Sequence, residues 1–105
     1  MLENKFKTNL INEIEELIPG CMVLHLDPNE VQGIPDLIVL YKKHWAVLEG
    51  KQYEGARQRP NQAYYVGLMN DMSFARFIYP GNKEEILYEL QQAFGLRRST
   101  CISQR

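Results

Sequence analysis

Apolar positions along the chain follow two different periods, and the switches between them predict its elements. Phe6, Leu10, Ile14, Leu17 and Ile18 recur on one helical face. They predict a first helix through "KTNLINEIEELIPG", with Thr8 or Asn9 as cap of a shorter version and Pro19-Gly20 as its stop. "CMVLHLD" reads as a strand and "PNEVQG" as a loop. Two further strands, "DLIVLY" and "HWAVLEGK", flank Lys42-Lys43 closely enough to form a hairpin. "QYEGARQR" is polar loop, and "PNQAYYVGLMNDM" a second helix with Pro60 in its first turn. "SFARFIYP" is a strand ending at the Pro80-Gly81 turn. "NKEEILYELQQAF" is a third helix, with Asn82 as cap and Ile86, Leu90 and Phe94 on one face. "GLRRSTCISQR" reads as a frayed tail. The order α-β-β-β-α-β-α, without repeat or linker, predicts one α/β domain around a small sheet.

The hairpin carries the candidate chemistry. A loop centred between Lys42 and Lys43 pairs Tyr41 with His44, Leu40 with Trp45, Ile38 with Val47 and Asp36 with Glu49. Loops of two and four residues share this register, whereas a three-residue loop would put the two carboxylates on opposite faces. Lysines do not favour the positive φ of the tightest turns, so both lengths stay open. Residues directly opposite have Cβ atoms roughly 4.5–5.5 Å apart, and alternation puts Lys51 on the face of Glu49. Paired carboxylates at that separation repel until one takes a proton or a cation sits between them. Hard oxygen ligands suit Mg²⁺ or Mn²⁺ better than zinc. The plainer alternative is a salt-bridged strand end of small energetic consequence.

Composition narrows the setting. With 105 residues, 45% hydrophobic and 24% charged, the chain suits one globular core. The apolar runs are too short to cross a bilayer, and "MLENKFKTNL" has no secretory h-region, so a cytoplasmic protein is expected. Cys21 and Cys101 form no CxxC pair, and His25 and His44 are far apart. Two unpaired thiols and no zinc site follow. A net charge of −1 argues against a non-specific DNA coat but leaves room for a local basic patch.

"GIPD", twelve residues, then "EGK" resembles the PD-(D/E)xK nuclease signature, as Pro35-Asp36 followed by Glu49-x-Lys51. "GIPDLIVL…WAVLEGK…RPNQAYYVGLM" is closer still to the VRR-NUC branch, the virus-type replication-repair nucleases, which place a glutamine near the start of the next helix, where Gln62 stands. The resemblance spans residues 10 to 92, and the family's order of elements agrees with the pattern above. It implies a restriction-endonuclease-like domain over 1–95, with a tail over 96–105. The implied metal ligands for Mg²⁺, with Mn²⁺ as substitute, are Asp36, Glu49 and the backbone carbonyl of Gly50. Gly50 departs from the apolar residue common at that position. Lys51 would orient or deprotonate the attacking water and neutralise the phosphate.

The family often adds a glutamate from the first helix. Glu13 is the candidate, directly or through a water, because it lies on the Phe6, Leu10, Leu17 stripe; its alternative is a solvated flank. Gln62 shares a face with Val66 and Met69 and would bond backbone, Lys51 or a water, unless it is a structural amide. Lys42, Lys43, Arg57 and Arg59 are candidate phosphate contacts or ordinary surface. Arg97, Arg98 and Arg105 make a basic tail, and Tyr53, Tyr64 and Tyr65 are rings able to stack on unpaired bases. The resemblance implies a homodimeric endonuclease on branched DNA, like a Holliday-junction resolvase. Its size suggests a phage or mobile-element protein of recombination or repair. The alternatives are a flap-directed or restriction-like nuclease, and a catalytically silent module that binds DNA.

Overall fold

The computed structural model describes residues 2–96. The elements are α1 (Leu2–Leu17), β1 (Met22–His25), β2 (Leu37–Tyr41), β3 (His44–Gly50), α2 (Gln62–Met72), β4 (Ala75–Ile78) and α3 (Lys83–Ala93). The order is the expected one. The strands form one mixed sheet, β1-β2-β3-β4. The first three run as an antiparallel meander, and β4 lies parallel to β3 after the crossover through α2.

Two apolar layers follow from strand alternation. On one face, Leu37 and Val39 of β2 and Ala46 and Leu48 of β3 pack under α1 and α3, with Leu10, Ile14, Ile86 and Leu90 above them. On the other, Val47 and Ala75 meet Val66 of α2, with Ile38, Trp45 and Met69 at the margin. β3 is one of the two inner strands, covered on both sides and buried without a break from Ala46 to Gly50, so its sequence reads as a continuous apolar run. No helix among the described residues is long and apolar enough to cross a membrane.

Boundaries differ from the sequence pattern in physically traceable ways. α1 begins at Leu2, so Thr8 and Asn9 are interior to it. The hairpin loop has two residues, with Tyr41 paired to His44, and Lys42 takes the positive φ of 55° at a cost of roughly 1–2 kcal/mol. α2 starts at Gln62, because Asn61 is left-handed at φ 69° and leaves Pro60 outside the helix. Asn82 precedes α3, but its side chain caps nothing there. Its oxygen accepts the Tyr79 N–H and its amide donates to the Phe77 carbonyl, closing the exit of β4. Cys21 is a free thiol. Cys101 and the basic tail residues Arg97, Arg98 and Arg105 lie outside the described residues.

Candidate active site

The hairpin ladder runs to Leu37 opposite Leu48, so Asp36 and Glu49 are the next positions on the α2 face. Asp36 lies just before β2 but is fixed twice. Its carbonyl accepts the Leu26 N–H at 2.8 Å, and its Oδ2 accepts the Gly50 N–H at 3.0 Å. Glu49 sits within β3, opposite Phe77 of β4, and is 3% exposed. Lys51 leaves the strand with its N–H bonded to the Ile78 carbonyl at 2.8 Å. All three side chains therefore project from backbone that the sheet holds in place, at the C-terminal end of a parallel strand pair, where α/β sheets commonly bind ligands.

Gln62 joins them from the first residue of α2. Its Nε2 donates to Glu49 Oε2 at 2.8 Å. Its Oε1 accepts from Lys51 Nζ at 2.6 Å and from the Arg59 N–H at 2.8 Å. Two donors on one end and a carboxylate on the other leave a single sensible orientation for the amide. Lys51 also donates to the Arg57 carbonyl at 3.1 Å and stands 3.8 Å from Glu49 Oε2. Glu49 Oε1, by contrast, is buried with no hydrogen-bond partner among the described residues. Burial, and secondly the charge of Asp36, push the Glu49 carboxyl from its ordinary 4.5 up to about 7, against the opposing pull of Lys51 and Lys7. Near neutral pH such a group holds a proton or attracts a cation.

The sequence pattern did not single out Lys7. Its Nζ lies 3.0 Å from Asp36 Oδ2, reaching round the sheet end from the α1 layer. Lys7 lies closely over Gly50: a Cβ there would stand 3.2 Å from Lys7 Cε and 3.4 Å from its Cγ, so the lysine chain would have to give way. The glycine between Glu49 and Lys51 is thus the one across which Lys7 lies. Helical spacing held the signal, since Lys7 precedes Leu10 and Ile14 by three and seven residues. Gly50→Val should crowd Lys7 off Asp36. In urea unfolding, Lys7→Met should cost about 1 kcal/mol in the wild-type background, as a partly shielded ion pair does, and much less in Gly50→Val. Equal costs in both backgrounds would show that the two residues are uncoupled.

Lys7, Asp36, Glu49, Lys51, Arg57, Arg59 and Gln62 are among the residues that line a pocket of about 290 Å³. Glu13 is not among them. It pairs with Lys83 of α3, Oε1 to Nζ at 2.7 Å. Glu13 lies on the stripe face of α1 but about 9 Å beyond Lys7 along the helix axis, too far along to reach the pocket. Lys42 and Lys43 are also apart from the site. The hairpin turn is roughly 20 Å from Glu49 at the strand rise, and Lys42 Nζ lies over the Tyr41 ring at 5.2 Å. No group of three or more His, Cys, Asp or Glu side chains gathers among the described residues.

The oxygen donors at the site are therefore two carboxylates and the Gly50 carbonyl, which points the same way as the Gly50 N–H that Asp36 accepts. The unpartnered Glu49 oxygen suits this set to a hard divalent cation that retains several of its waters. Comparison with protein-family models, with curated proteins and with solved structures found no match to the chain.

Proposed function

We propose that the chain is a divalent-metal-dependent endonuclease hydrolysing phosphodiester bonds in branched DNA. The observation that carries this reading is the buried Glu49 carboxylate, with one oxygen unpartnered beside Asp36 and the other bound by the Gln62 amide, itself bonded to Lys51. Asp36, Glu49 and the Gly50 carbonyl would hold Mg²⁺ or Mn²⁺, which when bound supplies charge neutralisation at the phosphate and a more acidic water. The chain's own residues orient the rest. Gln62 and the Arg57 carbonyl fix the Lys51 ammonium and occupy two of its three N–H groups. The third stands beside Glu49, 3.8 Å from its Oε2, and with a metal on that carboxylate it would turn to a phosphate oxygen or the attacking water, where a fixed positive group stabilises the charge of the transition state. Arg57 and Arg59, which line the pocket, would hold flanking phosphates without reading bases.

A homodimer fits the surface. Met22 and Leu24 on edge strand β1 are exposed, as are Tyr64, Leu68 and Met72, which repeat at one-turn intervals along α2. A two-fold pair would cover such side chains and set two pockets on one DNA surface.

The test is incubation with a labelled four-way junction, a flap and a duplex in Mg²⁺, Mn²⁺ or EDTA, beside Asp36→Ala. Metal- and Asp36-dependent paired cuts near the branch are expected. Cutting of flap or duplex alone would keep the chemistry and change the substrate. A second reading, a silent DNA-binding module, has an observation of its own. The Lys7 ammonium at Asp36 already supplies a positive charge where a metal would. Calorimetric titration with Mn²⁺ separates the two: the nuclease reading expects binding that tightens in Lys7→Met, and the silent module expects none in either protein.

A further inference from the structure

A second hollow adjoins the carboxylate pocket, and the hydrolytic chemistry does not use it. A cleft of about 510 Å³ opens between the first turns of α1 and the segment after β3, lined by Lys5, Phe6, Asn9, Gln52, Tyr53 and Pro80. Gln52 and Tyr53 line the carboxylate pocket as well, so the two hollows share a wall. Their chemistry differs sharply. Beyond that shared wall, the pocket is lined mainly by carboxylates, lysines, arginines and the Gln62 amide. The cleft has two aromatic rings and a proline, with two amides and one ammonium among them. Phe6 is anchored against the main core, which makes that side rigid. Tyr53 is 61% exposed. Tyr64, exposed to 63%, at least packs edge-on against Tyr65 at 5.0 Å, whereas Tyr53 joins no ring pair among the described residues.

We propose that this cleft receives an unpaired nucleobase of the strand whose phosphate enters the carboxylate pocket, stacked on Tyr53 with its polar edge toward the Asn9 and Gln52 amides. The proposal rests on the nuclease reading of the adjoining pocket. A nucleobase is flat and apolar on its faces and carries donors and acceptors only on its edge, which matches apolar walls with amides among them. The cleft is within the range of small-ligand sites. Phosphate and base of one nucleotide are joined through a single sugar, so two hollows with a common wall suit one nucleotide. A net charge of −1 gives the chain little general attraction for the DNA backbone, and stacking supplies affinity that does not depend on charge. A base that is paired and stacked in a closed duplex cannot enter. The cleft therefore favours flaps, bulges and junction centres over duplex.

The experiment measures binding by anisotropy in EDTA, with a labelled single strand and a closed hairpin duplex, for wild type, Tyr53→Ala and Tyr53→Phe. A single strand carrying 2-aminopurine reports stacking through its emission. Tyr53→Ala should weaken single-strand binding about tenfold, within the range of base–aromatic stacks, and leave duplex binding unchanged. Tyr53→Phe should retain wild-type affinity, and 2-aminopurine should be quenched by wild type but not by Tyr53→Ala. Equal losses on both DNAs, or no loss on either, would overturn the proposal. Asp36-dependent cleavage that proceeds at full rate in Tyr53→Ala on unpaired and paired substrates alike would remove the base site and leave the nuclease reading standing. Tyr53-dependent single-strand binding without cleavage in any metal would keep the base site and remove the nuclease reading.

Discussion

Glu49→Gln should abolish metal-dependent cleavage while removing a pH-dependent instability from the free protein. Glutamine keeps the size of the side chain and an oxygen to accept from Gln62. It loses the negative charge and the unpartnered carboxylate oxygen. On the proposed reading a metal ligand disappears, and cleavage should fall by ~1000-fold, the upper range for removing one preorganised electrostatic group. The stability effect does not depend on that reading. The folded protein raises the Glu49 pKa from 4.5 to about 7, so folding favours the protonated acid. That contribution is fully present below about pH 4.5 and is lost as pH rises through about 7. Its size is on the order of 3 kcal/mol. Urea unfolding between pH 5 and 9 should show wild type losing about this much relative to Glu49→Gln. Parallel curves would mean that Glu49 stays charged throughout. Added Mn²⁺ should flatten the wild-type curve if it takes the place of the proton.

A group that is expensive to bury and useless to packing is where sequence and stability part company. Most of this cluster was nevertheless legible in the chain. The parity of a two- or four-residue hairpin loop puts Asp36, Glu49 and Lys51 on one face, and the structure has that register. Gln62 was legible as a polar residue heading an apolar helix stripe, and it is 5% exposed with both ends bonded. What a one-dimensional pattern cannot carry is position along an element once elements are packed. That is why the apolar stripe points to Glu13 on α1 although Lys7 is the α1 residue at the site. Nor does the pattern show which strand β4 joins, or that Asn61 turns left-handed and sets the first residue of α2 at Gln62. Asn82 looked like a helix cap because its type and position fit one. The backbone groups it satisfies belong instead to the end of β4, three and five residues before it, and an asparagine ahead of a helix can serve either the turn behind it or the helix in front.

Gly33→Ala should be the most damaging single-methyl change near the site. Gly33 has φ 91°, and a Cβ there would lie 2.6 Å from Asn61 Cβ and 2.7 Å from both the Asn61 carbonyl carbon and Pro60 O. Two penalties follow. The left-handed backbone costs an alanine roughly 1–2 kcal/mol, and forcing backbone apart in a packed region adds about 1–3 kcal/mol. Gly55 provides an internal control, with φ 83° and nothing within 4 Å of its would-be Cβ. Gly55→Ala should show only the first penalty. By calorimetry Gly33→Ala should melt more than ~10 °C below wild type, and Gly55→Ala by about half of that or less. The site should feel the difference too. Pro60 and Asn61 lead directly into Gln62, whose amide joins Glu49 to Lys51. A displaced 60–61 segment pulls that amide off both partners. Well below its melting point, Gly33→Ala should therefore bind Mn²⁺ more weakly and lose cleavage, while Gly55→Ala retains both. Equal melting points for the two variants would mean that the segment yields freely, and Gln62 would then owe its position to α2 alone.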